Sequence, residues 1–475
     1  MKPTNLDKDY FEQIAAEFTA KVAVSVSEEL KSSIFSSPLS ARSPDLCMLW
    51  HPVYRDRNRT RLIVKLLISI FLRGLKGLVK LVYSFNRLGY AISGRINSSI
   101  LVAPSTCASQ VKDGGFKTAY VSTGREDGMF VLGPVSSLGK RATRIPKLVF
   151  KRKLFFLIEL TNSGMSAFFS VKGELFARVV LLLEWLSWVW SFEWLYVYYL
   201  DCALSETLEK YGISKVGCIH EMHAYSRAVW IVAARYKAKS FTVQHASISA
   251  GKRWYFPYPE EINSGLILPD VMYIYNHTVS DILKPYYENT QFVFGCSSRY
   301  SHWKNIRKCT NKGMSYLFVG ALAEFDNKVL ILAIDNLLSA TAERIPIRLR
   351  LHPAVQLRPW MRGWIKSKTR KHEIELSVDK SLREDLKRAS VVIGMSTTVL
   401  EEALLLGRPV IQITHPDYLQ FIDIDGINGI IKKSYRDISV NDLICMARHE
   451  VEPSAMMDEL GLVHPEVTYE QLFAP

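Results

Sequence analysis

The sequence predicts an α/β protein of two doubly wound domains, and three observations support this. First, 475 residues are more than one hydrophobic core accommodates, so two domains are expected. Second, short apolar runs alternate with helical patterns from about residue 214, which is typical of βα units and a parallel sheet. Third, several of these runs end in glycine or polar residues, at the edge where such sheets bind ligands.

Composition and charge narrow the possible partners. With 48% hydrophobic and 22% charged residues the chain is globular. A formal net charge of +14 favours acidic partners such as phosphorylated donors or an anionic bilayer. Nucleic acid is not expected, because no zinc-finger, RNP-like or helix-turn-helix pattern accompanies the charge. Seven scattered cysteines and no apolar h-region at the N-terminus predict reduced thiols, no secretory signal and a cytosolic protein.

The N-terminal part carries helical patterns instead of βα units. Residues 8–31 predict a solvated amphipathic helix, and the Ser- and Pro-rich stretch 32–45 predicts a linker. Residues 61–83 predict a helix with a wide apolar face and a narrow polar, mainly cationic stripe formed by Arg61, Lys65, Ser69, Arg73, Lys76 and Lys80. This pattern is typical of a helix on an anionic membrane surface, although a helix packed on a sheet with its basic edge in water shares it.

A second apolar stretch, 179–200, is long enough to span a bilayer. Glu184 and Glu193 lie on opposite faces of it, and each would cost about 2.5–3.5 kcal/mol at the centre of a membrane helix. A buried or interfacial helix is therefore favoured over a membrane-spanning one.

Strand patterns then follow one another to residue 413. Two of them, 216–219 and 240–243, flank a helical pattern over 223–237. Five more strands are predicted at 316–319, 347–351, 374–376, 391–393 and 410–413, with helices such as 328–343, 381–388 and 398–406.

Polar residues follow two strands of the second half. At the end of the first strand the candidate anion ligands are Arg350 and His352, which precede Pro353, and after the second strand the candidates are Gly394, Ser396, Thr397 and Thr398. The second group opens a helix, where backbone N–H groups and the helix dipole attract anions. If the two strands are neighbours, their ends form a clamp for a diphosphate or phosphodiester.

Other residues of the second half support or weaken the prediction of an anion-binding clamp. Gly320 ends a third strand, and Glu401 or Glu402 is placed to bind ribose hydroxyls. Ser or Thr is also an ordinary helix N-cap. The His-Pro pair recurs at 415–416 and 464–465, so the dipeptide by itself is not specific.

Polar side chains also follow the two strands before residue 265. They include His220-Glu221-Met222-His223 after the first and Gln244-His245 after the second. No third ligand stands at a metal-binding spacing, so no metal is predicted. An imidazole or carboxylate in a cleft can instead deprotonate a sugar hydroxyl, with His245 the preferred base and Glu221 the alternative. Candidate acceptor-binding residues are His223, Gln244, Lys252, Arg253 and Trp254, although the aromatic stretch at 254–258 could equally form a domain hinge.

These motifs resemble a family of bacterial surface carbohydrate biosynthesis proteins. The likeness lies in 220–227, 243–249 and 268–270 and covers about 175–415. The second half is also similar to GT-B glycosyltransferases that use cytidine-nucleotide donors, namely polysialyltransferases and other sialyltransferases, Kdo transferases and teichoic-acid polymerases. In that group a His-Pro motif and a downstream Ser/Thr pair hold the donor, which implies this role for His352, Pro353 and Ser396, Thr397, Thr398.

The sequence departs from that group in two places. Ala246 stands where teichoic-acid polymerases have Gly after the His, and Glu126-Asp127-Gly128 matches the sialyltransferase base motif in letters only. The identity of the base and of the sugar stays open on these grounds.

The resemblance implies a GT-B-like fold with two Rossmann-like domains facing a cleft and extra N-terminal amphipathic helices. The expected activity is an inverting, metal-independent transfer of a sugar, such as a nonulosonic acid or Kdo, from a nucleotide-sugar, with a CMP-sugar favoured. The acceptor would be a surface or lipid-linked glycan, as in capsule, polysaccharide, lipopolysaccharide or flagellar glycan. The expected location is cytoplasmic, peripheral on the inner face of the plasma membrane through 61–83. No cofactor beyond the nucleotide-sugar is expected.

The predicted domains are an N-terminal helix and linker (1–40), an acceptor-side domain with membrane-facing helices (41–265), a donor-side domain (266–450) and a tail that could cross back (451–475). Two alternatives remain open. One is a double-Rossmann nucleotide-sugar epimerase, and the other is a non-catalytic, membrane-associated scaffold of glycan assembly.

Overall fold

The structure is a computed structural model. It describes residues 6–41, 59–79, 88–93, 99–104, 108–110, 116–118, 129–138, 143–144, 150–218, 224–244, 246–295, 315–341, 343–353, 355, 357–377, 381–416, 418–422 and 424–462.

The first domain is built on an eight-stranded mixed sheet of order β10-β9-β8-β7-β2-β5-β1-β6. Its strands are β1 Leu88–Ser93, β2 Ser99–Pro104, β5 Met129–Pro134, β6 Thr143–Arg144, β7 Lys215–Cys218, β8 Lys239–Val243, β9 Val271–Ile274 and β10 Gln291–Phe294. Strand β1 runs antiparallel to β5 and β6, and the other pairs are parallel. A separate antiparallel pair is formed by β3 Ala108–Gln110 and β4 Phe116–Thr118.

Eleven helices of the described residues precede or flank this sheet. They are α1 Leu6–Ser25, α2 Glu28–Phe35, α3 Pro38–Ala41, α4 Arg59–Val79, α5 Val135–Leu138, α6 Phe150–Ser170, α7 Leu175–Trp190, α8 Trp194–Tyr211, α9 Ala224–Arg235, α10 Pro259–Asn263 and α11 His277–Leu283. One apolar core joins α1, α2 and α6–α9 to the sheet.

The second domain is a six-stranded, fully parallel sheet of order β13-β12-β11-β14-β15-β16. Its strands are β11 Ser315–Val319, β12 Ile347–Arg350, β13 Ile374–Leu376, β14 Ala389–Gly394, β15 Val410–Thr414 and β16 Ile430–Ser434. Its helices are α12 Glu324–Ala340, α13 Pro359–Arg370, α14 Leu382–Arg388, α15 Val399–Leu405, α16 Val440–Arg448 and α17 Pro453–Glu459. Apolar clusters cover both faces of the sheet, as expected for parallel strands with near-continuous apolar runs.

The two-domain α/β architecture predicted from the sequence is confirmed. The two sheets divide after Phe294, not at the expected residue 265, because β9 and β10 extend the first sheet. The tail does return to the first domain: the Asn276 side chain donates to the Leu460 carbonyl at 2.9 Å, and the backbone N–H of His277 donates to the Gly461 carbonyl.

The N-terminal region differs from the expected solvated helix and linker. Helices α1–α3 are packed into the core, and the serines that suggested a linker are buried. Ser33 donates to the Trp194 carbonyl at 3.2 Å, and Ser40 donates to the Glu261 carboxylate at 3.0 Å. Small hydroxyl side chains that satisfy their own hydrogen bonds allow close helix packing, so a Ser-rich stretch here is part of the framework.

The apolar stretch 179–200 is not one helix. Helices α7 and α8 meet at a break of 59°, where Phe192 adopts a left-handed φ of 57°. Trp185, Trp188 and Trp194 are buried, as the favoured interpretation required. Among the described helices none alone has the length and apolarity to cross a membrane, whereas α7 and α8 taken as a bent pair do.

Candidate functional site

The carboxyl edge of the second sheet brings the predicted donor-site strands together. Chain order reverses between β11 and β14, so this edge contains the topological switch point where ligands bind in open α/β sheets. His352 follows β12, Gly320 follows β11, and Gly394 ends β14. The expected adjacency of the His and Ser/Thr strands is wrong, because β11 lies between them. Two strand spacings of about 4.8 Å put these strand ends roughly 10 Å apart, with Gly320 between them.

Both glycines at the switch point are required by close packing. A Cβ on Gly320 would lie 2.4 Å from the Asn327 side-chain oxygen, and a Cβ on Gly394 would lie 2.9 Å from Val319. Side chains at these positions would therefore displace the start of α12 or the end of β11. The backbone between the two predicted ligand groups is therefore closely packed, and both glycines are buried.

The turn after β14 is held by hydrogen bonds to the segment around Phe421. The Ser396 hydroxyl accepts from the Phe421 N–H at 3.1 Å. Gln412, fully buried in β15, donates to the carbonyls of Met395 and Ile422. Thr398 directly precedes α15, which has only seven residues. The predicted anion-binding turn is thus fixed from the side of β15, by residues that the sequence analysis did not single out.

Arg350 is anchored by an acidic residue that the sequence pattern did not reveal. Its guanidinium donates to Asp385 of α14 at 2.6 Å, and Asp385 is fully buried. Arg348 also pairs with Asp385, at 3.5 Å, and with Glu375 at 2.9 Å. Part of the positive charge expected for phosphate binding is therefore compensated within the protein.

Glu401 lies at the contact between the two domains. Its carboxylate accepts a short hydrogen bond from the Ser247 hydroxyl of the first domain, and Glu401 and Glu402 are both buried. Ser249 donates to the Phe421 carbonyl at 3.0 Å. Gly251 packs so closely that a Cβ would lie 1.9 Å from the Gln420 carbonyl oxygen. The carboxyl edges of the two sheets therefore meet through the loop after β8.

The predicted acceptor-binding residues of this loop are largely bonded to their own domain. The Gln244 amide donates to the Ala246 carbonyl and accepts from the Tyr275 N–H, each at 3.0 Å. Lys252 donates to the Ser247 carbonyl. Arg253 lies 3.7 Å from Glu12 of α1. These contacts build the loop, and acceptor binding by the same side chains stays a prediction.

A row of aromatic rings runs along the carboxyl edge of the second sheet to Trp254. Centroid separations along it lie between 4.4 and 5.6 Å, in the order Tyr435, His415, Tyr418, Phe325, Phe421 and Trp254. Spacings of this size are those of interacting rings. The row reaches from the end of β16 to the first domain. His415-Pro416 after β15 is the dipeptide that the sequence analysis set aside as a recurrence.

A cavity of about 330 Å³ opens at the outer end of this row. Its lining combines aromatic and cationic side chains from α12 and the ends of β15 and β16: Lys328, Leu332, His415, Pro416, Tyr418, Tyr435 and Arg436. Arg436 lies over the Tyr435 ring and donates to its hydroxyl at 2.8 Å. Flat rings beside two cations suit a ligand with both an aromatic and an anionic part.

One buried acid stands near the start of α12. Asp326 is fully buried, and its Oδ1 has no hydrogen-bond partner in the described part of the chain. Burial raises the pKa of this carboxyl well above its ordinary value. Asp326 follows Gly320 by six residues, and no local pattern in the sequence distinguishes it.

The predicted catalytic residues lie outside the described residues. They are His245 and Glu221. The candidate acceptor ligand His223 and the segment 126–128 also lie outside the described residues. Among the described residues no group of His, Cys, Asp or Glu side chains could hold a metal ion.

Comparison with protein-family models and with curated proteins finds no match. The pneumococcal O-GlcNAc transferase GtfA, solved with UDP and GlcNAc, has a TM-score of 0.36 and 15% identity over 58% of this chain and 57% of GtfA. The UDP-N-acetylglucosamine 2-epimerase of Rickettsia bellii has a TM-score of 0.39 and 17% identity over 57% of this chain and 76% of the epimerase. Anabaena Alr3699/HepE, solved with UDP, has a TM-score of 0.38 and 10% identity over 55% of this chain and 78% of HepE. The matched region is thus less than two thirds of the length of GtfA.

Proposed function

We propose that this protein is a glycosyltransferase that moves a sugar from a nucleotide-sugar to a surface glycan. The observation that carries the proposal is the carboxyl edge of the second sheet. There a glycine switch point lies between His352 and the Ser396 turn, and an aromatic row runs along the edge from the end of β16 to the first domain. In this proposal the strand ends bind the anion and the aromatic rings bind the nucleobase.

The chemistry of the edge fits a nucleotide better than an uncharged sugar alone. Base stacking on aromatic side chains contributes about 1–3 kcal/mol per base, which Tyr418 or Tyr435 could provide. Lys328 is exposed beside the cavity, and no ion-pair partner for it occurs among the described residues. Cations and backbone N–H groups aimed at a leaving phosphate stabilise the charge that develops as the sugar is transferred.

The finer part of the proposal follows the resemblance in the sequence. The donor is a CMP-sugar such as a nonulosonic acid or Kdo, and the transfer is inverting and independent of metal. His245, or alternatively Glu221, removes the proton of the acceptor hydroxyl. The enzyme works in the cytoplasm, peripheral on the inner face of the plasma membrane, on a capsule, lipopolysaccharide, flagellar or related lipid-linked glycan.

Calorimetric screening of cytidine, uridine and guanosine sugar nucleotides tests the donor. Binding of one nucleotide class in the micromolar to millimolar range is expected, with CMP-sugars first. His352→Ala should weaken that binding by about tenfold or more, the size of one hydrogen bond to a charged group. His449→Ala is the matched control, since this exposed His bonds to Asn428 before β16. Failure of the unaltered protein to bind any of the three classes ends the enzyme proposal and favours the scaffold.

A further inference from the structure

One side of the first domain exposes an unusual amount of apolar surface. Thirteen of the twenty-two strongly exposed large hydrophobic side chains of the described residues lie on just three helices, α4, α6 and α7. On α4 they are Val64, Leu67, Ile68, Phe71, Leu72 and Leu75, and on α6 they are Leu154, Phe155, Ile158, Met165 and Phe169. The α4 set recurs at steps of up to four residues, and the α6 set lies on one face although seven residues separate Ile158 from Met165, so each forms one stripe along its helix.

Helix α7 joins the two stripes, because it packs against both α4 and α6. Gly77 of α4 packs so closely on α7 that a Cβ would lie 2.4 Å from the Trp190 carbonyl oxygen. A Cβ on Gly164 of α6 would lie 2.2 Å from the Trp185 ring. These close approaches hold the three helices in one layer. Leu175 and Trp190 of α7 are exposed, and Val179, Leu182 and Leu186 between them are half-buried, so apolar surface continues across the layer.

The same layer is strongly basic. The three helices contain nine Lys and Arg residues and two Glu, which leaves +7, half of the chain's +14. Helix α4 has five cations and no acid, and four of them have no ion-pair partner in the described part of the chain: Arg61, Lys65, Arg73 and Lys76. By helical spacing these four lie along one edge of the α4 apolar stripe.

We infer that α4, α6 and α7 together form a docking face for an anionic bilayer surface. This deepens the membrane partner in the proposed function, for which the sequence named 61–83 as the contact, but it does not depend on the transferase activity. Apolar side chains on such a face enter the boundary between headgroups and acyl chains, and cations beside them attract anionic lipid. Each Lys or Arg near the surface changes partitioning about fivefold. The charge selects a lipid surface over a neutral apolar partner.

Co-sedimentation with vesicles tests the inference on the full-length protein. We expect binding to vesicles of phosphatidylcholine with phosphatidylglycerol to exceed binding to phosphatidylcholine alone by about tenfold or more. The decisive variant is Phe155→Glu with Phe169→Glu on α6, outside the segment that the sequence singled out. It should weaken vesicle binding by about tenfold or more, as should Phe71→Glu on α4. Trp360→Glu on α13, another exposed aromatic on a basic helix, is the control and should bind as the unaltered protein does.

Three results would overturn the inference. The unaltered protein could fail to bind anionic vesicles. The α6 variant could bind normally while Phe71→Glu does not, which would leave a single docking helix. Or ultracentrifugation without lipid could show a dimer that the α6 variant converts to a monomer, which would make this face an interface between copies. Because all substituted residues are exposed, the variants should fold. Melting temperatures close to that of the unaltered protein would confirm it. Calorimetry with nucleotide-sugars in the absence of vesicles tests donor binding alone. It therefore distinguishes a failure of membrane docking from a failure of the proposed function.

Discussion

The carboxyl edges of the two sheets carry similar polar patterns in sequence but use them differently. On the first sheet, Gln244 and Lys252 are bonded to nearby carbonyls, and the loop they build is pressed against the second domain. On the second sheet, His352, Gly320 and the Ser396 turn flank a switch point, and an aromatic row extends from it. The polar residues of the first edge are therefore framework, whereas a ligand-binding role for those of the second edge, where Arg350 and Ser396 are also bonded within the protein, is a proposal.

The largest expected effect comes from breaking the framework under the first edge. Arg227 is fully buried, donates to the carbonyls of Ser40 and Trp254, and lies 4.0 Å from the buried Glu261. Arg227→Met leaves that carboxylate without its cation, so the free energy of unfolding should fall by about 3–5 kcal/mol. Urea unfolding measures it. Arg253→Met, which removes a more exposed charge, should lower the free energy of unfolding by about 1 kcal/mol or less. Equal losses of unfolding free energy in the two variants would contradict the framework interpretation.

A smaller effect is expected where the two edges touch. Gly251→Ala places a Cβ against the Gln420 carbonyl, and relieving that overlap should cost about 1–3 kcal/mol and separate the domains locally. Thermal unfolding and small-angle scattering measure the two consequences. Gly363→Ala on α13 meets no atom within 4 Å and should stabilise the helix by about 0.5–1 kcal/mol. A Gly251→Ala protein with unchanged stability and shape would show that the domain contact is looser than described.

Gln244 distinguishes framework from acceptor binding directly. Gln244→Leu leaves the buried Tyr275 N–H and Ala246 carbonyl without their partner, so we expect a loss of about 1–3 kcal/mol of unfolding free energy. Urea unfolding gives this value, and acceptor titration of the folded variant gives KM. A variant of normal stability with a raised KM would instead support the acceptor role predicted from the sequence.

The last prediction concerns the second edge and depends on pH. Because burial raises the pKa of Asp326 in the folded state, the folded protein binds this proton more tightly than the unfolded chain. Its contribution is therefore most favourable at acid pH and declines as pH rises above the ordinary Asp value of about 3.9. Asp326→Asn should be more stable than the unaltered protein near neutrality, with a gap that narrows as pH falls. Urea midpoints at several pH values measure this, and a gap that widens towards acid would refute it.

The second domain was largely predictable, whereas in the sheet of the first only β7 and β8, with α9 between them, were. Strands β11, β12, β14 and β15 are short apolar runs between helical patterns, so local sequence was enough to place them. Strands β1, β2 and β5 lie among segments with no βα alternation, and β1 is antiparallel, so the same pattern could not reveal them. In the site, the strand ends were found from local order. The partners that hold them, Asp385, Gln412 and Phe421, come from distant positions and had no local signal.

The peptide groups around Phe421 have a mechanical consequence. The N–H of this residue donates to Ser396 in one domain, while its carbonyl accepts from Ser249 in the other. If the two domains move apart, either the hydrogen bond from Ser249 to the Phe421 carbonyl breaks or Phe421 moves and displaces the Ser396 hydroxyl. Interdomain motion and the shape of the turn after β14 are therefore linked through the backbone of one residue and the short hydroxyl side chains of Ser249 and Ser396.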